Sequence, residues 1–294
     1  MPSSNEIIKS AWIGGKIGTM EKLCIGSFLR NGHKFHLYVS GDVGEVPKGT
    51  EIFDIEDVLP SSIFAAKDFS KNPASFSDIF RYHLIHSVGG WWVDLDTYCM
   101  RPFNFESEYV FDADRMKMKL APQESYGSGE KVLRTVSGAP IYIINGTFKA
   151  PAGSMLLKEM MNRVKTSSSW LETGPSAFTK AILDKFPFFL DKVLCLPLLN
   201  PLSYHNLSRL WDDNQPQTLP EGIYAIHLYR SNWIELGADM ETTKGIYGKL
   251  RRGEESSISY IPAEKWFTEE WNRAYLTFRA PIHVNSRPIR RFRP

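Results

Sequence analysis

The chain has 294 residues, of which 43% are hydrophobic and 23% are charged, and its formal net charge at pH 7 is +2. A chain of this length and composition can bury a full core, so we expect a soluble globular protein. Its basic residues form no evident stripe over the predicted body, which argues against nucleic acid as a partner.

The cysteines and the N-terminal residues bear on the compartment. Cys24, Cys99 and Cys195 are widely separated and lack the spacing of a metal site, so we expect no disulfide framework and a reducing compartment. Residues 1–6 lack the basic flank and apolar run of a signal peptide, and no segment reaches the roughly 18 apolar residues that span a bilayer. These features predict a cytoplasmic protein.

Apolar periodicity predicts alternating strands and helices through the first hundred residues. A helix without internal glycine or proline precedes the pair Gly89-Gly90, which ends it, and a short buried strand follows. Alternation of this kind indicates an α/β fold built on a central sheet. The predicted elements are a strand over Ile7–Ile13, a helix from about Met20 to Arg30, a strand over Phe35–Val39, a helix over Phe76–Val88 and a strand over Trp91–Val93.

We expect one domain over residues 1–280, because no linker, low-complexity run or internal repeat divides the chain. Residues 281–294 form a basic tail that is rich in arginine and proline. Such a tail has two interpretations, which remain open: a solvated terminus, or a peripheral contact with anionic lipids at the inner face of a membrane.

Four charged residues are arranged for one ligand. Asp78 and Arg81 are three residues apart and therefore share one side of the predicted helix. Asp94 and Asp96 follow the predicted strand, where a period of two would point both carboxylates to the same side. Paired carboxylates bind Mg²⁺ or Mn²⁺ and leave coordination positions for phosphate. The segment therefore predicts a metal site with room for a diphosphate.

The segment from Ser77 to Asp96 resembles the DXD signature of glycosyltransferase family 32 and related sugar-binding proteins, whose pattern is S-D-x-x-R-Y-x-x-L-x-x-x-G-G-x-Y-x-D-x-D. Ile85 stands in place of the usual leucine and Trp92 in place of the usual tyrosine. The match runs over twenty residues without a gap, which makes it far more specific than an isolated Asp-x-Asp.

This resemblance implies a GT-A-like fold, with a mixed nucleotide-binding sheet and a more helical C-terminal part. It also implies a nucleotide-sugar donor, with UDP-sugars favoured, and a Mn²⁺ or Mg²⁺ cofactor. A glycan or lipid-linked glycan would be the acceptor, as in capsular or lipopolysaccharide-type polysaccharide biosynthesis, and the transfer would retain the anomeric configuration.

Three further segments resemble parts of the same family. The opening strand places Trp12 where the family has an aromatic residue that stacks on the base, although an ordinary core tryptophan would look the same. Asn145 precedes the helix from Ser154 to Lys165 and is interpreted either as a ligand of a sugar hydroxyl or as a turn residue. Thr173-Gly174-Pro175 matches a T-G-P element, for which a plain helix start is a sufficient explanation.

The segment from Ala225 to Trp233 resembles the family's C-terminal H-x-x-x-S-x-W stretch. The resemblance implies that His227 completes the metal sphere and that Ser231 and Trp233 contact the diphosphate. A neutral imidazole is a suitable Mn²⁺ ligand, and hydroxyl and indole groups can donate hydrogen bonds to a pyrophosphate.

The catalytic set predicted from these segments is Asp94, Asp96, Asp78 and Arg81. Asp78 would accept hydrogen bonds from sugar or ribose hydroxyls, and Arg81 would donate to the same ligand; an intrahelical salt bridge is the alternative for that pair. Gln123 and Glu124, together with Asn145, are candidates for the sugar face. No general base is identified.

Two other functions stay open. A haloacid dehalogenase type of phosphatase also carries Asp-x-Asp after a strand, but Thr97 and Tyr98 depart from the pattern expected there. A non-catalytic glycan-binding protein on a transferase fold is the other alternative. A second Asp-x-Asp, at Asp112 and Asp114, lacks the preceding helix and glycine pair and is interpreted as a loop or helix cap.

Overall fold

The computed structural model describes residues 7–60, 73–114, 123–124, 131–132, 141–164, 170–202 and 206–269. The basic tail at 281–294 and the end of the predicted domain at 280 lie outside these residues. Among the described residues, no helix combines the length and the apolar character needed to cross a bilayer.

Strands and helices alternate through the first half of the chain, as the sequence predicts. The strands are β1 (Ile8–Ile13), β2 (Phe35–Ser40), β3 (Thr50–Asp54), β4 (Gly90–Val93), β5 (Thr97–Cys99), β6 (Val110–Ala113), β7 (Gln123–Glu124), β8 (Lys131–Val132), β9 (Ile143–Ala150), β10 (Thr218–Pro220), β11 (Ala225–His227) and β12 (Ser259–Ile261). The helices are α1 (Thr19–Arg30), α2 (Pro73–Val88), α3 (Met155–Val164), α4 (Trp170–Thr173), α5 (Pro175–Lys185), α6 (Ser208–Trp211), α7 (Arg230–Leu236) and α8 (Gly245–Arg251).

Six strands form a mixed central sheet in the order β3-β2-β1-β4-β9-β6. Strands β3, β2, β1 and β4 are parallel to one another, whereas β9 runs antiparallel between β4 and β6. The chain reverses its direction of winding between β1 and β4, and ligands of open α/β sheets bind beyond the carboxyl ends of the strands at such a point. The predicted α/β class with a mixed sheet is confirmed.

The central sheet is covered on both faces, and the adjacent residues Trp91 and Trp92 are each buried against a different layer. Trp91 is buried with Phe28 and Phe103 on the side of α1, whereas Trp92 is buried with Phe80 on the side of α2. Successive strand residues point to opposite faces, so a pair of large apolar residues requires a layer on each side. This arrangement fixes the direction in which β4 delivers the residues that follow it.

The C-terminal part is more helical and has its own apolar cluster, which includes Trp233, Tyr247 and Trp266. Strand β11 ties this part to the sheet region by pairing antiparallel with β5, with His227 opposite Thr97. That register places His227 next to the residues that follow β4.

The second Asp-x-Asp is not the loop or helix cap that the sequence suggests. Asp112 lies within β6 and is fully buried, because the apolar run before it continues as a strand of the sheet. Its carboxylate accepts hydrogen bonds from the main-chain N–H groups of Ala113, Leu199 and Asn200. The burial of this acid is thereby offset by backbone donors.

Candidate active site

A cavity of about 890 Å³ opens at the carboxyl edge of the sheet, beyond the ends of β1 and β4. Its lining includes Trp12 from β1, residues 94–96 after β4, residues 144–147 of β9 and residues 227 and 229–232 around the start of α7. These segments are far apart in the chain. The cavity therefore depends on the sheet order and on the pairing of β5 with β11.

Asp94 and Asp96 lie in a turn rather than in the strand that the spacing suggests. Strand β4 ends at Val93, where the N–H of Asp94 bonds to the carbonyl of Gly146 and the N–H of Thr97 bonds to the carbonyl of Asp94. The two carboxylates converge through this turn and not through strand alternation.

His227 completes a group of three possible metal ligands with Asp94 and Asp96, whose ligand atoms all lie within 4.8 Å of one another. His227 Nε2 is 3.0 Å from Asp96 Oδ1, and Asp96 Oδ2 accepts a hydrogen bond of 2.8 Å from the main-chain N–H of Arg230. The predicted metal residues are thus brought together. Two carboxylates and one imidazole are a donor set that fits Mn²⁺ and, with less preference for the nitrogen, Mg²⁺.

Arg81 is nearly fully buried and reaches Asp94 from the side of α2. Its Nη2 is 2.9 Å from Asp94 Oδ1 and also donates to the hydroxyl of Ser77, whereas Nε donates to the carbonyl of Ser77 and Nη1 to the carbonyl of Asn145. Trp92 Nε1 also donates to Asp94 Oδ1, at 3.0 Å. These bonds fix one oxygen of Asp94 and leave Oδ2 to face Gly146 and the cavity.

Asp78 supports Arg81 from behind. Its Oδ1 accepts from the amide of Asn145 and lies 3.4 Å from Arg81 Nη2, and its Oδ2 accepts from the hydroxyl of Thr173. Burial raises the pKa of Asp78 to about 6, against the opposing effects of Arg81 and these donors. Asp78 and Asn145 therefore form a buried network, and the T-G-P element contributes Thr173 to it as well as starting α5.

His227 and Asp96 each stabilise the charged form of the other. Burial alone would lower the pKa of His227, but the carboxylates of Asp96 and Asp94 outweigh it and raise that pKa above its ordinary value. Burial would raise the pKa of Asp96, but His227 and the N–H of Arg230 outweigh it and hold that pKa below its ordinary value. Asp96 is therefore ionised at neutral pH and able to bind a cation.

Trp12 and Ser231 line the cavity, whereas Trp233 does not. Trp12 is half-buried, and its indole N–H donates to the carbonyl of Gly15 at 2.9 Å. Trp233 is fully buried, and its indole N–H donates to the carbonyl of Leu228 at 2.7 Å. The structure thus brings Ser231 to the site but uses Trp233 to pack α7 against the C-terminal core. Strand β7, with the backbone of Gln123 and Glu124, pairs with β8 outside the central sheet.

Sequence reasoning missed two residues that shape the site at the start of α7. Tyr229 is the one non-glycine residue with positive φ among the described residues, with φ 55° and ψ 51°, and its ring lies 4.1 Å from that of His227. Strain of this kind costs on the order of 1–3 kcal/mol and is typical of functional sites. Arg230 extends over Trp12, with Cζ 5.0 Å from the ring centre. The only sequence feature that could have indicated these two residues was their position inside the 227–233 segment.

No model of a known protein family and no curated protein matches this chain. Several solved structures resemble it in outline. Among them is the PaToxG glycosyltransferase, with a TM-score of 0.44 and 15% identity, over 86% of this chain and 84% of that chain. The ligand-free glycosyltransferase domain of the YGT toxin is also among them, with a TM-score of 0.40 and 9% identity, over 64% of this chain and 79% of that chain. Likenesses at this level do not place the chain in a family.

Proposed function

We propose that this protein is a metal-dependent glycosyltransferase, which moves a sugar from a nucleotide-diphosphate sugar to a hydroxyl of a glycan or lipid-linked glycan. The observation that carries the proposal is the convergence of Asp94, Asp96 and His227 in a cavity that also has Trp12 on its wall. A metal-binding group and an aromatic surface in one cavity suit the two ends of a nucleoside diphosphate.

The resemblance of the segment from Ser77 to Asp96 to the DXD signature supports the same function. The proposal also includes a UDP-sugar donor, retention of the anomeric configuration and a cytoplasmic location at the inner face of a membrane. The sheet order, with a switch point between β1 and β4, is that of a nucleotide-binding α/β fold and agrees with a GT-A-like architecture.

Each residue has a distinct part in this proposal. Asp94, Asp96 and His227 would hold Mn²⁺ or Mg²⁺, which supplies Lewis-acid stabilisation of the negative charge that develops on the leaving diphosphate. Arg81 makes its hydrogen bonds within the protein, so it holds Asp94 in place. Asp78 holds Arg81 in turn, so both are positioning residues rather than contacts to the sugar.

The test is the release of nucleotide from a panel of nucleotide sugars, with and without Mn²⁺, for the wild type and for Asp96→Asn. We expect release from one class of donor, dependent on metal, and reduced at least about a hundredfold in Asp96→Asn, because the loss of a ligand costs several kcal/mol of leaving-group stabilisation. Asp184→Asn is the matched control, since Asp184 lies on α5 and pairs only at the surface with Arg163 and Lys180.

Asp184→Asn should release nucleotide at the wild-type rate. A folded Asp96→Asn protein with near-normal release would contradict the assignment of the metal group. The absence of release together with the absence of metal-dependent nucleotide binding would favour a non-catalytic glycan-binding protein instead.

A further inference from the structure

Arg230 lies between the two parts of the cavity that the proposed function uses. Its main-chain N–H donates to Asp96 Oδ2 at 2.8 Å, and its guanidinium Cζ is 5.0 Å from the ring centre of Trp12. One residue therefore touches the metal group through its backbone and the aromatic surface through its side chain. A diphosphate that joins a base at Trp12 to a cation at Asp96 must pass beside Arg230.

The guanidinium is held in this position by a buried acid. Arg230 Nε is 2.6 Å from Glu21 Oε1, and the Glu21 side chain is only 1% exposed whereas that of Arg230 is 35% exposed. The second oxygen of Glu21 accepts a hydrogen bond of 2.7 Å from the N–H of Gly18, at the start of α1. Glu21 is thus fixed by α1 and orients Arg230 towards the cavity, which both residues line.

The contact with Glu21 uses Nε of Arg230, so the amino groups Nη1 and Nη2 are able to donate into the cavity. A guanidinium presents such groups as a planar fork that matches two phosphate oxygens, and its hydrogen bonds to phosphate are among the stronger ones in proteins. Stacking over Trp12 restricts the side chain further and adds a cation–π attraction. The group is therefore oriented before a ligand arrives.

We propose that Arg230 is a specificity residue that binds the diphosphate of the donor, and that Glu21 is its positioning residue. This inference rests on the proposed function and deepens it. It assigns part of the recognition of the diphosphate to a side chain outside the metal group, so removal of that side chain weakens diphosphate binding selectively while the cation stays bound. Removal of a purely structural Glu21–Arg230 ion pair would give no such selective loss.

The test compares the wild-type chain with Arg230→Ala and Arg230→Lys in the presence of Mn²⁺. It measures the affinity for inorganic pyrophosphate, UDP and uridine by calorimetry. Pyrophosphate is included because it has no base, so its binding does not depend on which nucleotide the protein uses. Substitution of the side chain leaves the main-chain bond to Asp96 in place. We therefore expect Mn²⁺ affinity to stay within about twofold of the wild type in every variant.

Arg230→Ala should weaken pyrophosphate and UDP binding about 10- to 100-fold and change uridine binding less than about threefold, whereas Arg230→Lys should give an intermediate loss. Arg252→Ala is the matched control, because Arg252 pairs with Glu254 at the surface. It should bind all three ligands like the wild type.

Glu21→Gln separates positioning from packing. Its amide oxygen can still accept the hydrogen bond from Gly18, but the ion pair with Arg230 is lost. We expect pyrophosphate binding to weaken about 3- to 10-fold with uridine unaffected.

Unchanged pyrophosphate binding in Arg230→Ala, or equal losses for uridine and pyrophosphate, would overturn the inference. A wild type that binds neither nucleotide nor pyrophosphate with metal present would overturn the proposed function, and this inference with it. The wild-type measurement therefore distinguishes the two failures.

Discussion

The two aspartates of the site are held in opposite ways. Asp94 is fixed from the N-terminal side by Arg81 and Trp92, both buried, and belongs to a network that α2, β4 and β9 build. Asp96 is fixed from the C-terminal side by His227 and the main chain of Arg230, next to the strained backbone of Tyr229. The first aspartate is held by buried groups of the core, whereas the second is held by the junction between β11 and α7.

The Asp94 side and the Asp96 side of the site therefore have different roles. The buried groups around Asp94 hold its carboxylate in a fixed position, because a buried charge pair is costly to break. The junction around Asp96 contains the half-exposed groups that can meet a ligand, His227 and Arg230 among them. We therefore expect substitutions on the Asp94 side to change stability most, and substitutions on the Asp96 side to change binding most.

Arg81→Met should have the largest effect on stability. Arg81 has a side chain that is 5% exposed, and its removal leaves the carboxylates of Asp78 and Asp94 without their shared cation. Breaking a buried pair from one side typically costs about 3–5 kcal/mol. Urea denaturation should show a loss of this size in the free energy of unfolding.

Arg163→Met provides the contrast, because Arg163 pairs with Glu159 and Asp184 on the outer side of α3 and α5. Partly exposed pairs of this kind are worth at most about 1 kcal/mol. An equal loss of unfolding free energy in Arg81→Met and Arg163→Met would contradict the claim that buried charge pairs hold the Asp94 side of the site.

Asp112 allows a pH-dependent test of the hydrogen bonds that hold the junction between β11 and α7 in place. Its carboxylate binds the backbone of Leu199 and Asn200, and the amide of Asn200 donates to the hydroxyl of Tyr229. Burial raises the pKa of Asp112 to about 7, against three opposing backbone donors. The folded protein therefore retains a proton that the unfolded chain has released, so this group's contribution to stability falls as pH rises from about 4 to about 7.

Asp112→Asn removes this titration. The free energy of unfolding of the wild type, relative to Asp112→Asn, should decrease by about 2–3 kcal/mol between pH 5 and pH 8. Urea denaturation at the two pH values measures this difference. Parallel pH dependence in the two proteins would show that Asp112 does not titrate in this range.

Gly146→Ala should have a smaller effect, confined to the Asp94 carboxylate. A Cβ at this position would lie 2.7 Å from Asp94 Oδ2, so the carboxylate must move. A displaced ligand should lower the rate of nucleotide release about tenfold, while the free energy of unfolding changes by about 1 kcal/mol. Wild-type release from Gly146→Ala would show that the position of Oδ2 is not critical.

Gly26→Ala is the matched control. Gly26 lies inside α1, where the nearest atom to an added Cβ is 3.4 Å away on the flexible side chain of Arg30. Alanine is favoured over glycine within a helix by about 1 kcal/mol, so this variant should be slightly more stable and equally active.

The sequence predicts the Asp94 side well because its information is local. The predicted helix over Phe76–Val88 corresponds to α2 and the predicted strand over Trp91–Val93 to β4, each within three residues at its ends. Asp78 and Arg81 share a helix face, so their pairing follows from spacing alone. The turn after Val93 was not predicted, because it depends on a hydrogen bond to Gly146 in a distant strand.

The Asp96 side depends on contacts that spacing does not encode. The approach of His227 to Asp96 follows from the pairing of β11 with β5, and the contact of Arg230 with Trp12 joins residues more than 200 positions apart. Trp233 is the converse case, since the family resemblance of its segment implies a contact with the diphosphate, whereas the fold buries its side chain. The burial of the Asp112 carboxylate likewise depends on backbone donors from residues 199 and 200.

The most direct test of the central claim is the binding of Mn²⁺, measured by the loss of the free-ion signal in electron paramagnetic resonance. The wild type should bind one Mn²⁺ per chain, more tightly when UDP is present, and the double variant Asp94→Asn, Asp96→Asn should lose this binding while remaining folded. Equal Mn²⁺ binding by the wild type and the double variant would contradict the assignment of Asp94, Asp96 and His227 as the metal site.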